Sequence, residues 1–451
     1  MFEYSVYSIL SGTILGFVAG TSLTWSSPEK DFLNRTDTGH FDGVITDDEF
    51  SWISGLLSLG AAFGPFFFGY LADRIGRKYT LLSIALPFAV GSVIVAFATK
   101  VPELMVARLI SGIGVGGAFT VLPMYVGEMS LDEHRSALGS GMNCFICFGL
   151  IFTYIVGYYV SKVVVFNLLL AGVAVGFFVI FLLIGAETPH YYVQKNKHDL
   201  ALESLKRIRD AGPEENEREL KMIRTEIEKE EQGSLLDIFK TKASTKAFII
   251  GAGLVFFQQV SGINAVLMFA QTIFEDAKTP LEPQYCSMLI GAVQFSTSFI
   301  TPVVSNMMGR KTILIISGIG MALSESILGI YDVMSHHDES SVSSIRFLPI
   351  LSLVCYIITY NVGFGPLPWA IIGEVFPNSI KSSASALATA ICWLTSFVIT
   401  KWFQQVVDTL TLGPCFLGFA SFSLLAAVFT QFVVLETKDK SLAEIQADLS
   451  K

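Results

Sequence analysis

The sequence predicts an all-α membrane protein with twelve transmembrane helices in two six-helix halves. Three observations lead to this fold class. Hydrophobic residues make up 52% of the 451 residues and charged residues only 15%, whereas soluble domains carry about 25% charged residues. About twelve apolar runs are long enough to cross roughly 30 Å of hydrocarbon. Two Gly-Arg-Lys triplets, beginning at Gly76 and Gly309, lie 233 positions apart and indicate an internal duplication.

Each apolar run is predicted to be a helix, because backbone polar groups in lipid must find their partners within the chain. The runs lie at residues 5–23, 52–72, 80–98, 102–125, 136–160, 164–185, 247–273, 285–305, 312–333, 347–372, 383–403 and 414–435. Two further echoes support the duplication, since Gly127-Glu128 returns as Gly373-Glu374 and Glu187-Thr188 as Glu436-Thr437. We therefore expect an N-terminal half at 1–185, a C-terminal half at 247–435 and a tail at 436–451.

A long hydrophilic region at residues 186–246 separates the two halves. Charged residues dominate it, but apolar residues recur at helical spacing, at Leu202, Leu205, Ile208, Leu220, Ile223 and Ile227. This pattern predicts two or three amphipathic helices, interrupted at Gly212-Pro213 and packed under the membrane bundle. The alternative is a solvated linker, which would not need periodic apolar residues.

The distribution of positive charge predicts the orientation. If both termini are cytoplasmic, 22 of the 30 Lys and Arg residues lie on the inner side and seven, Lys401 among them, in outer loops. The sequon at Asn34 then falls in the first outer loop, where glycosylation is possible. The N-terminus lacks the basic region of a cleavable signal peptide. We expect a multi-pass protein of the plasma membrane.

Several classes of function are excluded by what the sequence lacks. The net charge of −9 is spread over loops, and no basic patch suits nucleic acid. No nucleophile and base set, metal cluster or phosphate loop indicates an enzyme, and no cofactor or metal is expected. Cys144 and Cys147 form a C-x-x-C on a membrane helix without basic neighbours, which favours packing over redox chemistry. The expected partners are the lipid bilayer and a small substrate, with the monomer as the functional unit.

Seven motifs in order show that the chain resembles the sugar porter family of the major facilitator superfamily almost end to end. They are GYLADRIGRK from Gly69, RLISGIGVGG from Arg108, YVGEMS from Tyr125, ETPHYYV from Glu187, FFQQVSGINAV from Phe256, GFGPLPWAIIGEVFP from Gly363 and LETKDKSLAEI from Leu435. Within the family the chain most resembles insect facilitated trehalose transporters. The resemblance implies the major facilitator fold, sugar transport by alternating access and a charge network on the cytoplasmic side.

Charged residues of both signs recur at the cytoplasmic ends of both halves and are candidates for that network. Opposite charges there are expected to hold the halves together when the cavity opens outward and to separate when it opens inward. Independent surface ion pairs, each contributing about 0–1 kcal/mol, are the alternative. The candidates are Asp73, Arg74, Arg77, Arg108, Glu128, Arg135, Glu187, Arg310, Glu374, Lys381 and Glu436.

Two charged residues lie several residues away from the ends of apolar runs. Arg108 is near the start of the fourth run, where an unpaired Arg costs about 2.5 kcal/mol or more. Glu128 is the partner we expect for it. Glu325 lies in the middle of the ninth run and matches none of the motifs. Three hypotheses account for it: the helix boundary is misplaced there, Glu325 is a protonated acid between helices, or Glu325 is a functional group.

A sugar site requires amides, which hydrogen-bond hydroxyl groups, and aromatic rings, which stack on the apolar faces of a pyranose. Buried amides in membrane helices also serve as contacts between helices, so that role is the alternative. The candidates for substrate binding are Asn143, Gln258, Gln259, Asn264, Gln294, Asn361, Trp369 and Trp393.

Helical geometry predicts two breaks beside these residues. On a straight helix Gln258 and Asn264 would be about 240° apart and could not share a face. Ser261-Gly262 is therefore expected to break or unwind the seventh span. In the tenth span Gly363, Gly365, Pro366 and Pro368 predict a similar break before Trp369. Broken helices near the middle of the membrane are typical of transporter gates.

The first span distinguishes between facilitated diffusion and proton-coupled transport. Proton-coupled members of the family carry an aspartate there, whereas this chain has no acidic or basic side chain between Ser5 and Leu23. We therefore expect facilitated diffusion of trehalose or a glucose-like hexose. A proton-coupled symporter would need another acid, for which Glu325 is the candidate. A non-transporting sugar sensor is the third hypothesis, although such sensors tend to have long cytoplasmic tails.

Overall fold

The computed structural model describes residues 4–33, 44–160, 162–209, 212–229, 235–377, 380–438, 440 and 442–450. Within these ranges every regular element is a helix, as the composition predicts. The expected glycosylation site at Asn34 lies outside the described residues.

In the described part of the N-terminal half, seven helices form the six predicted spans. The first span is divided at Trp25 into a long and a short helix. The helices are α1 (Tyr4–Thr24), α2 (Ser26–Leu33), α3 (Asp47–Ile75), α4 (Arg77–Phe97), α5 (Val101–Met129), α6 (Asp132–Tyr159) and α7 (Val163–Ile184).

The linker between the halves is helical. It contains α8 (Pro189–Gln194), α9 (His198–Ile208), α10 (Pro213–Lys229) and a 3₁₀ helix at Leu235–Phe239. Apolar positions of the predicted pattern, including Leu205, Ile208 and Ile223, are buried. Arg209 pairs with Glu219 at 2.9 Å and donates a hydrogen bond to the Met129 carbonyl at the end of α5. The linker is therefore a packed helical element against the N-terminal half.

The C-terminal half has more helix breaks than the N-terminal half. Its helices are α11 (Lys242–Val260), α12 (Ile263–Met268), α13 (Ala270–Asp276), α14 (Pro283–Ser298), α15 (Thr301–Met307), α16 (Arg310–His337), a 3₁₀ helix (Glu339–Ile345), α17 (Leu348–Val362), α18 (Leu367–Val375), α19 (Lys381–Leu410), α20 (Leu412–Val433) and α21 (Leu442–Ser450).

Eleven helical segments within the described ranges are long and apolar enough to cross a bilayer. The remaining predicted span, at 285–305, is present as α14 followed by α15. Pro302 has no backbone N–H for the carbonyl of Ser298, which explains the interruption between the two helices. Large apolar side chains such as Leu183 and Phe432 are 73% and 81% exposed, as expected for surfaces that face lipid.

Small residues of the RLISGIGVGG motif let α3 and α5 approach closely. A Cβ added at Gly112 or Gly116 of α5 would overlap backbone atoms of Leu57 or Ala61 on α3. Such small-residue contacts drive helix packing in lipid, where apolar side chains gain little by leaving the hydrocarbon. The motif therefore acts first as a packing surface of the N-terminal half.

The largest contacts between the two halves within the described residues are those of α3 with α19 and of α6 with α14. We call the membrane side that carries α8 to α10 the linker side. On the opposite side, Ser26 of α2 donates a hydrogen bond to the Met268 carbonyl of α12 at 3.2 Å. Tyr154 of α6 likewise donates to the Leu267 carbonyl at 2.7 Å. The conformation is therefore closed on the side opposite the linker.

Candidate substrate site and gates

The predicted break in the seventh span is present. The helix α11 ends at Val260, and Gly262 adopts a left-handed conformation with φ of +80° before α12 begins. A side chain is disfavoured there by its backbone conformation and by the Phe419 ring, which would lie 2.6 Å from an added Cβ. The break turns Asn264 back toward Gln259.

The break produces a buried cluster of amides. The Asn264 Nδ2 group donates to Gln259 Oε1 at 2.7 Å and to Ser396 Oγ at 2.8 Å. The Gln259 Nε2 group in turn lies 3.2 Å from the Cys392 sulfur. These contacts join α11, α12 and α19 around one polar centre. Gln259 and Asn264, which the sequence predicts as substrate residues, are thus brought together.

Gln258 connects this cluster to the second predicted break, between α17 and α18. Its Nε2 group donates to the carbonyls of Phe364 and Gly365 at 2.6 and 2.8 Å. Pro368 has no N–H to offer the Phe364 carbonyl, so the Gln258 amide replaces the missing helical hydrogen bond. Gln258 therefore has a structural role at the break besides its predicted role toward substrate.

Two of the predicted substrate residues carry buried polar atoms that have no hydrogen-bond partner among the residues that the structure describes. They are the Gln294 Oε1 atom on α14 and the Trp393 Nε1 atom on α19. Such atoms are costly to bury unless a ligand or water pairs with them. An acceptor and a donor of this kind suit the hydroxyl groups of a sugar.

An aromatic cluster lies at the meeting of the halves. The Phe119 ring of α5 is 5.4 Å from the Trp393 ring and 6.3 Å from the half-buried Trp369 ring. Phe119 was not predicted as a site residue. Phe119 lies three residues after Gly116, in a segment whose sequence indicates only helix packing. The tryptophans that it contacts belong to the other half, so the local sequence gives no sign of them.

The other two predicted amides occupy different environments. Asn361 donates to Thr297 Oγ1 at 2.7 Å and to the Gln294 carbonyl at 3.1 Å, and so joins α17 to α14. Asn143 on α6 is half-buried. Asn361 thus shows the helix-joining role that the sequence left as the alternative.

The duplicated Gly-Arg-Lys triplets have the same structural role in both halves. Glu187 accepts hydrogen bonds from the backbone N–H groups of Arg77 and Lys78, at 2.8 and 3.1 Å, and so caps α4. Glu436 caps α16 through the N–H groups of Arg310 and Lys311, at 2.9 and 3.2 Å. A carboxylate at a helix N-terminus satisfies unpaired N–H groups and the helix dipole.

Glycine precedes both capped helices for a steric reason. A Cβ at Gly76 would overlap the Glu187 carboxylate, and a Cβ at Gly309 would overlap the Glu436 carboxylate. Burial raises the pKa of Glu187 to about 7, against the opposing effect of its backbone hydrogen bonds.

The arginine side chains of the same triplets each form a close ion pair on the linker side. Arg77 pairs with Glu128 at 2.8 Å, and Arg310 pairs with Glu374 at 2.5 Å. Each pair lies within one half. In this conformation these residues therefore join helices of the same half, and their predicted contact across the halves in the opposite conformation stays a prediction.

The remaining charge-network candidates lie around these pairs. Asp73 is 3.7 Å from the Arg77 guanidinium, and the Arg74 guanidinium lies over the Tyr70 ring. Lys381 begins α19 and is exposed. The side chain of Arg135 lies outside the described part of the structure.

The prediction that Glu128 is the partner of Arg108 is wrong. Glu128 lies twenty residues further along the same helix, which is about 30 Å at 1.5 Å per residue. The Arg108 guanidinium instead lies 4.5 Å from the Trp25 ring centre and donates to the Ser22 carbonyl at 3.1 Å. The fully buried Glu29 carboxylate stabilises the Arg108 charge electrostatically and accepts a hydrogen bond from an amide of α7.

Glu325 is inside a continuous helix, which excludes a misplaced boundary. It lies on α16, is 1% exposed and accepts a hydrogen bond from Ser423 of α20 at 2.8 Å. Its second carboxyl oxygen, Oε1, has no hydrogen-bond partner in the described ranges. The hypotheses of a protonated acid and of a functional group stay open.

Two six-helix halves with broken helices around a polar centre define a membrane transporter of the major facilitator fold rather than an enzyme. The sequence matches the family described as "Sugar (and other) transporter" over residues 5–449, and the chain belongs to that family.

The facilitated trehalose transporter Tret1 of Culex quinquefasciatus is 33% identical over 446 residues, which are 98% of this chain and 85% of the relative. The Bombyx mori protein of the same name is 34% identical over 90% of this chain and 80% of the relative. The chain spans only 54% of the length of the Aedes aegypti relative, which is 32% identical.

Solved structures support the fold. The proton:xylose symporter XylE bound to 6-bromo-6-deoxy-D-glucose superposes with a TM-score of 0.80 at 23% identity, covering 99% of both chains. A partially occluded inward-open XylE from E. coli has a TM-score of 0.81 at 22% identity, covering 97% of this chain and 99% of the other.

Proposed function

We propose that this chain carries trehalose or a glucose-like hexose across the plasma membrane by facilitated diffusion, through alternating access of its two halves. The linker side is the cytoplasmic side in this proposal, as the distribution of Lys and Arg indicates. The relatives named facilitated trehalose transporters support the substrate class.

The observation that carries the proposal is the buried polar centre between the broken helices. Gln259 and Asn264 orient each other there. Gln294 on α14 and Trp393 on α19 each carry a buried polar atom, an acceptor and a donor, that lacks a partner among the described residues. Each new hydrogen bond to a neutral hydroxyl contributes about 0.5–1.5 kcal/mol. The aromatic cluster of Phe119, Trp369 and Trp393 supplies apolar surface for the faces of the ring.

Facilitated diffusion is favoured by α1, the longer of the two helices of the first span. No acidic or basic side chain lies on α1 between Ser5 and Leu23, and the amide cluster is neutral. The second candidate function is proton-coupled symport, which the buried acids Glu29 and Glu325 favour. The structural relative XylE is described as a proton:xylose symporter, although likeness at this identity supports the fold alone.

Uptake of labelled trehalose and labelled glucose by cells that express the chain tests the proposal. We expect saturable uptake that a protonophore does not reduce. Loss of uptake with the protonophore would favour symport, and absence of saturable uptake of either sugar would refute the proposed substrate class.

A conservative variant tests the site itself. Trp393→Phe removes the Nε1 donor and keeps an aromatic ring, so KM is expected to rise about 2- to 12-fold for one lost hydrogen bond. Trp402→Phe is the matched control, because Trp402 lies on the same helix and is 45% exposed. Equal KM values in both variants at comparable surface expression would remove Trp393 from the site.

A further inference from the structure

Lys401 occupies an unusual position for a lysine. It lies within α19, nine residues before the helix ends, and is only 3% exposed. The charge count places it with the outer loops although it stands near the end of the predicted run 383–403, and in the structure it lies inside the helix. A buried lysine in a membrane helix is costly unless a partner compensates its charge.

The partner of Lys401 belongs to the other half. The Lys401 Nζ atom is 2.7 Å from Asp48 Oδ1, in the first turn of α3. The same Asp48 oxygen accepts a hydrogen bond from Gln405 Nε2 at 2.6 Å. The ammonium also lies 4.8 Å from the centre of the Trp52 ring, a favourable cation–π distance.

This ion pair differs from those of the linker side. The pairs of Arg77 with Glu128 and Arg310 with Glu374 each join helices of one half. The pair of Lys401 with Asp48 joins the two halves across the contact of α3 with α19. Movement of the halves away from each other on the side opposite the linker therefore separates this pair.

The same helix contact continues inward to the polar centre. Ser58 of α3 and Ser396 of α19 are hydrogen-bonded at 2.9 Å, and Ser396 also accepts from Asn264. Between the two contacts, a Cβ at Gly55 would be 3.3 Å from the Lys401 Cβ atom, so the helices are close there. One face of α3 thus carries the ion pair at its outer end and reaches the amide cluster at its inner end.

We propose that Asp48 and Lys401 are gating residues that form a clasp holding the transporter closed on the side opposite the linker. Opening toward that side breaks the clasp and exposes Lys401 to water. The Ser58 and Ser396 pair lies between the clasp and the amide cluster and separates in the same movement. The proposal requires the rocking of the halves that the proposed function assumes.

Thiol labelling of a buried seam residue tests the clasp in the full-length protein. In Ser58→Cys, a membrane-impermeant thiol reagent added on the side opposite the linker reacts only when that side opens. In the double variant that also carries Asp48→Asn, the labelling rate is expected to rise about tenfold. This factor lies between the effect of losing an exposed ion pair and the effect of losing a buried one. The protein without the introduced cysteine corrects for its six native cysteines.

Two further variants separate the clasp from general damage. Asp47→Asn is the matched control, because Asp47 pairs with Lys30 of the same half at 2.9 Å and should leave the rate unchanged. The exchanged pair, Asp48→Lys with Lys401→Asp, is expected to restore slow labelling. An unchanged rate in Asp48→Asn, or equal acceleration by Asp47→Asn, would overturn the proposal. The assay uses no sugar, so its outcome is independent of the substrate assignment.

Discussion

The break in the seventh span depends on Gly262. We therefore predict the effect of Gly262→Ala in most detail. The left-handed conformation with φ of +80° costs a residue with a Cβ about 1–2 kcal/mol. The added Cβ would also lie 2.6 Å from Phe419, a buried ring that stacks on Phe403 and cannot easily move. Overpacking of this kind costs about 1–3 kcal/mol.

The two costs together give roughly 2–5 kcal/mol for Gly262→Ala. Thermal unfolding of the purified protein in detergent measures this loss, and labelled-sugar uptake measures its effect on the gate. We expect a Tm lowered by roughly 2–5 °C, since the unfolding entropy of a chain of 451 residues is large, and reduced uptake. Gly172→Ala on α7 is the control, because its Cβ would meet no described atom within 4 Å. Wild-type Tm and uptake in Gly262→Ala would refute the steric argument.

Three further changes have defined outcomes. Arg77→Gln breaks a buried ion pair and is expected to lower stability by about 3 kcal/mol, more than Arg310→Gln, whose pair is about one quarter exposed; an equal Tm loss in the two variants would contradict this order. Gly116→Val on α5 forces α3 and α5 apart and is expected to abolish folded protein in size-exclusion chromatography; a normal elution profile would count against that packing. Glu187→Gln is expected to flatten the pH dependence of Tm. The folded protein holds the Glu187 proton up to about pH 7, while the unfolded chain releases it near pH 4.5, so stability falls as pH rises through that window; a variant with the wild-type slope would exclude Glu187 as the cause.

The sequence predicted local features well. Runs of apolar residues determined the spans because lipid leaves helices as the only solution for long single segments. Gly262 and Pro368 predicted both breaks, because a missing Cβ or a missing backbone N–H changes the helix at that residue itself. The repeated Gly-Arg-Lys triplets predicted the duplication, and the structure supplies their reason in the carboxylates of Glu187 and Glu436.

Contacts between distant segments could not be predicted in the same way. Glu128 was expected to be the partner of Arg108, although twenty residues of one helix separate the two side chains. Phe119 and Lys401 owe their roles to partners in the other half, and no periodicity within one segment reveals such partners. Lys401 in particular was counted with the outer loops although it stands near the end of the predicted run 383–403.

The central claim is that sugar crosses through the site between the halves without an energy source. The accumulation ratio of labelled trehalose in proteoliposomes that contain the purified protein, with and without an imposed pH gradient, tests this claim most directly. We predict that the inner concentration of sugar reaches the outer concentration and stops there in both cases. Accumulation above the outer concentration under a proton gradient would contradict facilitated diffusion.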